Sequence, residues 1–97
     1  MQQASQYLQK AVELRPDYPE ALNNLGVLWV REKDYAKAEE QFKTSIRLTP
    51  GFAQSYMNLA RLYAMQGNKE SARATLQELL RLQPQNASAK QAIEMLQ

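Results

Sequence analysis

A chain of 97 residues that is 44% hydrophobic and 23% charged has the make-up of one globular domain, near the low end of sizes that bury a self-sufficient core. Its formal charge of +2 is weak, and acids and bases interleave along it, so no single-sign stripe marks a nucleic-acid footprint. The absence of cysteine and histidine removes disulfides, thiolate metal sites and the commonest general base and metal ligand, and no apolar run approaches the roughly 18–20 residues of a membrane span.

Residues 1–15 read as a helix, because Ala4, Tyr7, Leu8, Ala11, Val12 and Leu14 recur at the three- and four-residue steps of one helical face. Pro16 ends it. Asp17 is a candidate N-cap with Glu20 three residues on, and Pro19 suits a first helical turn. The helix that follows, about 19–32, carries Ala21, Leu22, Leu25, Gly26, Leu28 and Trp29 on one side. A glycine among large apolar residues costs about 1 kcal/mol of helix propensity. Gly26 is therefore expected to permit a close helix–helix approach.

Lys33-Asp34 makes a short turn, and 35–48 forms the next helix with Tyr35, Ala38, Phe42, Ser45, Ile46 and Leu48 inward. So short a link forces neighbouring helices to run antiparallel. The plan then recurs. A helix over 53–66 buries Tyr56, Leu59, Ala60, Leu62 and Tyr63, and Gly67-Asn68 turns the chain through a left-handed glycine cap. A helix over 69–82 turns Ala72, Leu76, Leu79 and Leu80 inward. Asn86 caps a last short helix, 87–96, which is more polar on its outer face, as suits the end of a stack.

Pro16, Pro50 and Pro84 stand 34 residues apart, each closing a similar amphipathic phrase. Laying 17–50 over 51–84 gives seven identities: Asn24/Asn58, Leu25/Leu59, Leu28/Leu62, Ala38/Ala72, Arg47/Arg81, Leu48/Leu82 and Pro50/Pro84. Other apolar positions pair by size, as Trp29/Tyr63 and Phe42/Leu76 do. A fixed period of this length signals a stacked-repeat architecture.

The residues resemble the tetratricopeptide repeat family. One unit reads Leu22, Leu25-Gly26, Trp29, Ala38, Phe42, Ser45, Pro50, and the next reads Tyr56, Leu59-Ala60, Tyr63, Ala72, Leu76, Leu79, Pro84. Ala4, Leu8, Ala11 and Pro16 look like the second helix of a preceding unit. The resemblance implies an all-α fold of six helices, stacked antiparallel hairpins in a right-handed superhelical array. Its parts would be a partial unit over 1–16, units over 17–50 and 51–84, and a capping helix over 85–97. Two positions depart from the pattern. Lys33 replaces the usual glycine, so a left-handed conformation there carries a cost of roughly 1 kcal/mol, and Leu79 replaces a small residue, which predicts a wider contact with the capping helix.

In this family the first helix of each unit lines a concave groove that receives a partner's peptide or helix. Carried over residue by residue, the groove residues are Asn23, Val27, Val30 and Arg31 from one unit and Gln54, Met57, Asn58, Arg61 and Met65 from the next. Glu20, Ser88 and Gln91 flank them. The expected function is a protein–protein interaction module, a scaffold or adaptor, with a protein or peptide partner. Neither nucleic acid nor membrane is an expected partner, and no cofactor, metal or catalytic residue is expected.

The alternative is a self-associating fragment that forms homo-oligomers through Ala4, Leu8 and Val12 of an uncovered N-terminal helix. A clamp for a partner's terminal carboxylate would need lysine and asparagine at Asn23 and Val27, asparagine at Asn58, and lysine and arginine at Ser88 and Ala92, where only Asn58 fits. Trp29, Tyr56 and Tyr63 lie at core spacing rather than forming a stacking platform, and Glu39-Glu40 beside Lys37 and Lys43 reads as a salt-bridged surface. The opening residues lack the pattern of a secretory signal, and the chain reads as beginning inside a unit. A cytoplasmic setting is expected, with the periplasm left open.

Overall fold

The computed structural model describes residues 19–96. It shows five helices among them: α1 (Pro19–Arg31), α2 (Tyr35–Leu48), α3 (Ala53–Met65), α4 (Lys69–Leu82) and α5 (Ala87–Met95). They form two antiparallel hairpins, α1–α2 and α3–α4, stacked side by side with α5 closing the second against its far side. The all-α stacked-hairpin class holds. The sixth expected helix, over 1–15, lies outside the described residues, as do the Asp17 cap and the Ala4–Leu8–Val12 surface.

Both hairpin turns are built the same way. Asp34 N–H donates to Trp29 C=O (2.8 Å) and Lys33 N–H to Val30 C=O (2.9 Å); Asn68 N–H donates to Tyr63 C=O (2.8 Å) and Gly67 N–H to Ala64 C=O (3.0 Å). These paired bonds satisfy the orphan carbonyls at a helix C-terminus and require a left-handed residue just beyond it. Gly67 supplies it at φ 79° and Lys33 at φ 64°, so the lysine does adopt the strained conformation. The next residue then caps the following helix. Asp34 Oδ1 accepts from Lys37 N–H (3.2 Å), and Asn68 Oδ1 accepts from Ser71 N–H (3.1 Å). Asn86 caps α5 likewise, through Ala89 N–H at 3.0 Å.

Burial follows the helical faces. Leu22, Phe42, Leu62, Leu76 and Leu79 are fully enclosed, each contributing about 1.5–3 kcal/mol of transfer free energy. One cluster, around Ala38, Phe42, Leu59 and Leu62, joins α2 to α3. Another, around Tyr56, Ala72, Leu76, Leu79 and Ala89, joins α3, α4 and α5. Ile46 and Tyr63 pack against both and make the core continuous.

Gly26 is the tight point. A Cβ there would sit 2.4 Å from a ring carbon of Phe42, which is 1% exposed and has no room to retreat. The glycine thus admits the Phe42 ring to the core.

One inward expectation needs correction: Leu48 is exposed at the end of α2. Tyr35, Ile46 and Leu80 pack on the core half-buried, as do Trp29 and Tyr63. The rings pack on the core by one face while their polar or cation-facing sides meet solvent, as amphipathic aromatics do. The Lys37 ammonium lies 4.6 Å from the Trp29 ring centroid, and Tyr63 Oη donates to Glu39 Oε2 at 3.2 Å.

Candidate functional site

The first helices of the hairpins, α1 and α3, pack against each other, and α5, packed on α4, faces α3 across a depression. Two depressions open on the face they share. The larger, about 450 Å³, lies between α3 and α5, walled by Met57, Arg61, Ala64, Ser88, Gln91 and Met95 and floored by Leu76 of α4. The smaller, about 70 Å³, lies between α1 and α3, with Val27, Val30, Asn58, Arg61 and Met65 around a floor of Phe42 and Leu62. Arg61 borders both.

Of the expected groove residues, the structure gathers Val27, Val30, Asn58, Arg61 and Met65 at one depression, and Met57 and Arg61 at the other. Val27, Val30 and Met57 are half-buried, and Met65 is 56% exposed. Arg31 stands exposed at the last turn of α1. Gln54 is exposed and donates through Nε2 to Asn58 Oδ1 at 3.2 Å.

Asn23 is not on an open surface. It is 3% exposed, and its amide works inside the hairpin interface. Its Nδ2 donates to Pro19 C=O and to Ser55 Oγ, both at 2.9 Å, with Ser45 Oγ at a longer 3.4 Å. Its Oδ1 accepts from Asn58 Nδ2 at 3.1 Å, and Ser45 Oγ and Ser55 Oγ share a hydrogen bond of 2.7 Å. Asn23, Ser45, Ser55 and Asn58 thus form a hydrogen-bonded polar quartet from three helices, each residue at most 5% exposed. Buried polar groups are tolerable only when paired in this way.

Sequence reasoning missed the quartet as a unit because its members lie up to 35 residues apart. The available signal was the coincidence of short polar residues on inward helical positions of three successive helices.

The electrostatics of this face are simple. Neither depression has an acidic residue in its lining, and Arg61 is the one charged residue in each. On the outer face, by contrast, charges pair locally. Lys43 Nζ contacts Glu39 Oε2 at 2.6 Å, and this bond holds the lysine above its ordinary pKa. Glu78 and Arg81 form a bidentate pair. Among the described residues no three Asp or Glu side chains gather to hold a metal ion, and no helix is long and apolar enough to cross a membrane.

Family models of the tetratricopeptide repeat match residues 30–96 and 2–51, and the chain belongs to that family. No curated protein matches it significantly. Among solved structures, YrrB, described as a TPR protein with an unusual peptide-binding site, superposes with a TM-score of 0.84 at 31% identity, over 96% of this chain and 48% of that one. MamA superposes with a TM-score of 0.79 at 26% identity, over 90% of this chain and 51% of that one. The first TPR domain of Spaghetti (RPAP3), bound to the HSP90 peptide SRMEEVD, superposes at 0.81 over 96% of this chain and 76% of that one. Its 20% identity carries the likeness of fold alone. The chain spans about half the length of the MamA and YrrB chains.

Proposed function

We propose that this chain is a peptide-binding repeat module of the scaffold or adaptor kind, which receives a short segment of a partner protein on the face formed by α1, α3 and α5. The observation that carries the reading is the pair of apolar depressions on that face, floored by core side chains and open to solvent. Partly exposed Val27, Val30, Met57 and Met65 offer an apolar strip, and methionine adapts its shape to different side chains. The peptide-binding description of YrrB, which is 31% identical to this chain, supports the assignment. The self-association alternative depends on Ala4, Leu8 and Val12, outside the described residues.

The test is selection of binders from a random displayed peptide library. Affinities of the recovered peptides are then measured by fluorescence polarisation for the native chain and for Ser88→Trp, which fills the larger depression, and Met57→Ala, which removes one of its walls. Binding should fall about tenfold or more for Ser88→Trp and less for Met57→Ala, with helicity by circular dichroism unchanged. Equal affinities for all three proteins would put the binding surface elsewhere.

A further inference from the structure

The two depressions differ in size but share one wall, and that wall carries the single charged residue of their linings. Arg61 is exposed, has no ion-pair or hydrogen-bond partner among the described residues, and borders both hollows. The remaining lining is apolar or neutral: valines, methionines, alanines and leucines, with Ser88, Gln91 and Asn58 as hydrogen-bonding groups. The outer hollow on α2 offers no such bias, because Glu39, Glu40, Lys43 and Arg47 mix both signs there.

A ligand that fills both depressions must cross Arg61 with chain on either side of the crossing. From this, and resting on the peptide-binding reading above, we infer that the partner segment carries an internal acidic residue, apolar residues flanking it on both sides, with its carboxylate on Arg61. The planar guanidinium accepts a carboxylate through two parallel N–H···O bonds, and apolar walls on both sides strengthen that contact by excluding water. A terminal carboxylate fits worse, because a chain that ends at Arg61 leaves one hollow empty. A basic residue at the crossing would meet an uncompensated like charge.

The probes are short acetylated and amidated peptides of one design, with leucines on both sides of a central Glu, Gln or Lys and serine elsewhere. A fourth carries central Gln and a free C-terminal carboxylate. On the native chain the Glu peptide should bind about tenfold more tightly than the Gln peptide, and the Lys peptide more weakly still. On Arg61→Glu the order should reverse, with the Lys peptide the tightest. That reversal is a readout that simple damage to the fold would not produce.

Equal binding of the Glu, Gln and Lys peptides overturns the acidic requirement while leaving the groove in place. A terminal-carboxylate peptide that outbinds the Glu peptide overturns the internal position. If none of these peptides binds although library-selected peptides do, the inference fails and the peptide-binding reading stands. If library selection also fails, both fall.

Discussion

At four corresponding repeat positions, the two interfaces that hold the stack together carry opposite chemistry. Between the hairpins lie Asn23, Ser45, Ser55 and Asn58, joined by hydrogen bonds. Moving each by 34 residues gives Met57, Leu79, Ala89 and Ala92, the contact between the second hairpin and α5, which is wholly apolar. Each solution is coherent, since every quartet member is hydrogen-bonded to another while the apolar set presents no polar side chain. Mixtures of the two are what the fold cannot tolerate, because one polar residue among apolar partners is left unpaired in a dry site.

The largest expected effect comes from mixing them on the apolar side. Leu79→Ser places the residue of the first interface into the second, where Leu79 is 0% exposed. The lost leucine volume costs about 2–5 kcal/mol and the unpaired hydroxyl adds about 1–3 kcal/mol. Against a typical domain stability of about 5–15 kcal/mol, chemical denaturation should show a protein near the edge of unfolding. A loss below about 1 kcal/mol would mean that the interface relaxes around the serine.

The hairpins also divide core volume differently. Gly26 faces Phe42, whereas the corresponding Ala60 packs in one cluster with Leu76. Gly26→Ala should therefore destabilise by about 1–3 kcal/mol despite a helix-propensity gain of about 1 kcal/mol. Adding Phe42→Leu should recover part of the loss, since the pair then copies the second hairpin. Additive losses in the double-mutant cycle would show that the two positions do not exchange volume.

On the polar side, Asn23→Met alone should cost about 1–3 kcal/mol, because Ser55 and Asn58 lose their shared partner. Replacing all four, as Asn23→Met, Ser45→Leu, Ser55→Ala and Asn58→Ala, should cost less than the sum of the single changes. Well-packed apolar groups can stand in for a complete polar network. Simple additivity over the four would sink the idea that the quartet acts as a unit.

Most of the fold was legible in the sequence because it depends on local signals. Proline spacing, capping residues and the 3.6-residue period placed five helices to within one residue at each end. The strained Lys33 was legible through the family resemblance, which places a glycine there. Of the groove residues carried over from the family resemblance, Val27, Val30, Met57 and Arg61 line the two depressions, but Asn23 turned inward because Ser45 and Ser55, from two other helices, offered it oxygen atoms. Helical periodicity fixes which way a residue points and says nothing about what waits there. The half-burial of Trp29 and Tyr63 has the same origin, as Lys37 and Glu39 on α2 give their outer sides partners.

A smaller contrast lies in the turns. Lys33 and Gly67 do the same job at φ 64° and 79°, and only the glycine does it without a Cβ. Lys33→Gly should raise stability by about 1 kcal/mol, the left-handed penalty less the added freedom of the unfolded chain. A rise in the thermal midpoint, with an unchanged denaturant slope, is the expected signature. No change would mean that the penalty at Lys33 is offset by something glycine lacks.

The smallest contrast is at the ends of the second helices. Arg81 is paired with Glu78, whereas Arg47 has Thr44 at the corresponding position. The hydrogen bonds from Arg81 hold the Glu78 carboxyl below its ordinary pKa, and the group is fully exposed. With the folded value below the unfolded one, the pair's contribution is complete above the unfolded pKa and disappears as pH falls through the folded one. Glu78→Gln should therefore lower the thermal midpoint slightly at neutral pH and not at all in strong acid, and added salt should erase the difference. A difference that persists in strong acid would trace the effect to the helix itself, because the ion pair no longer exists there.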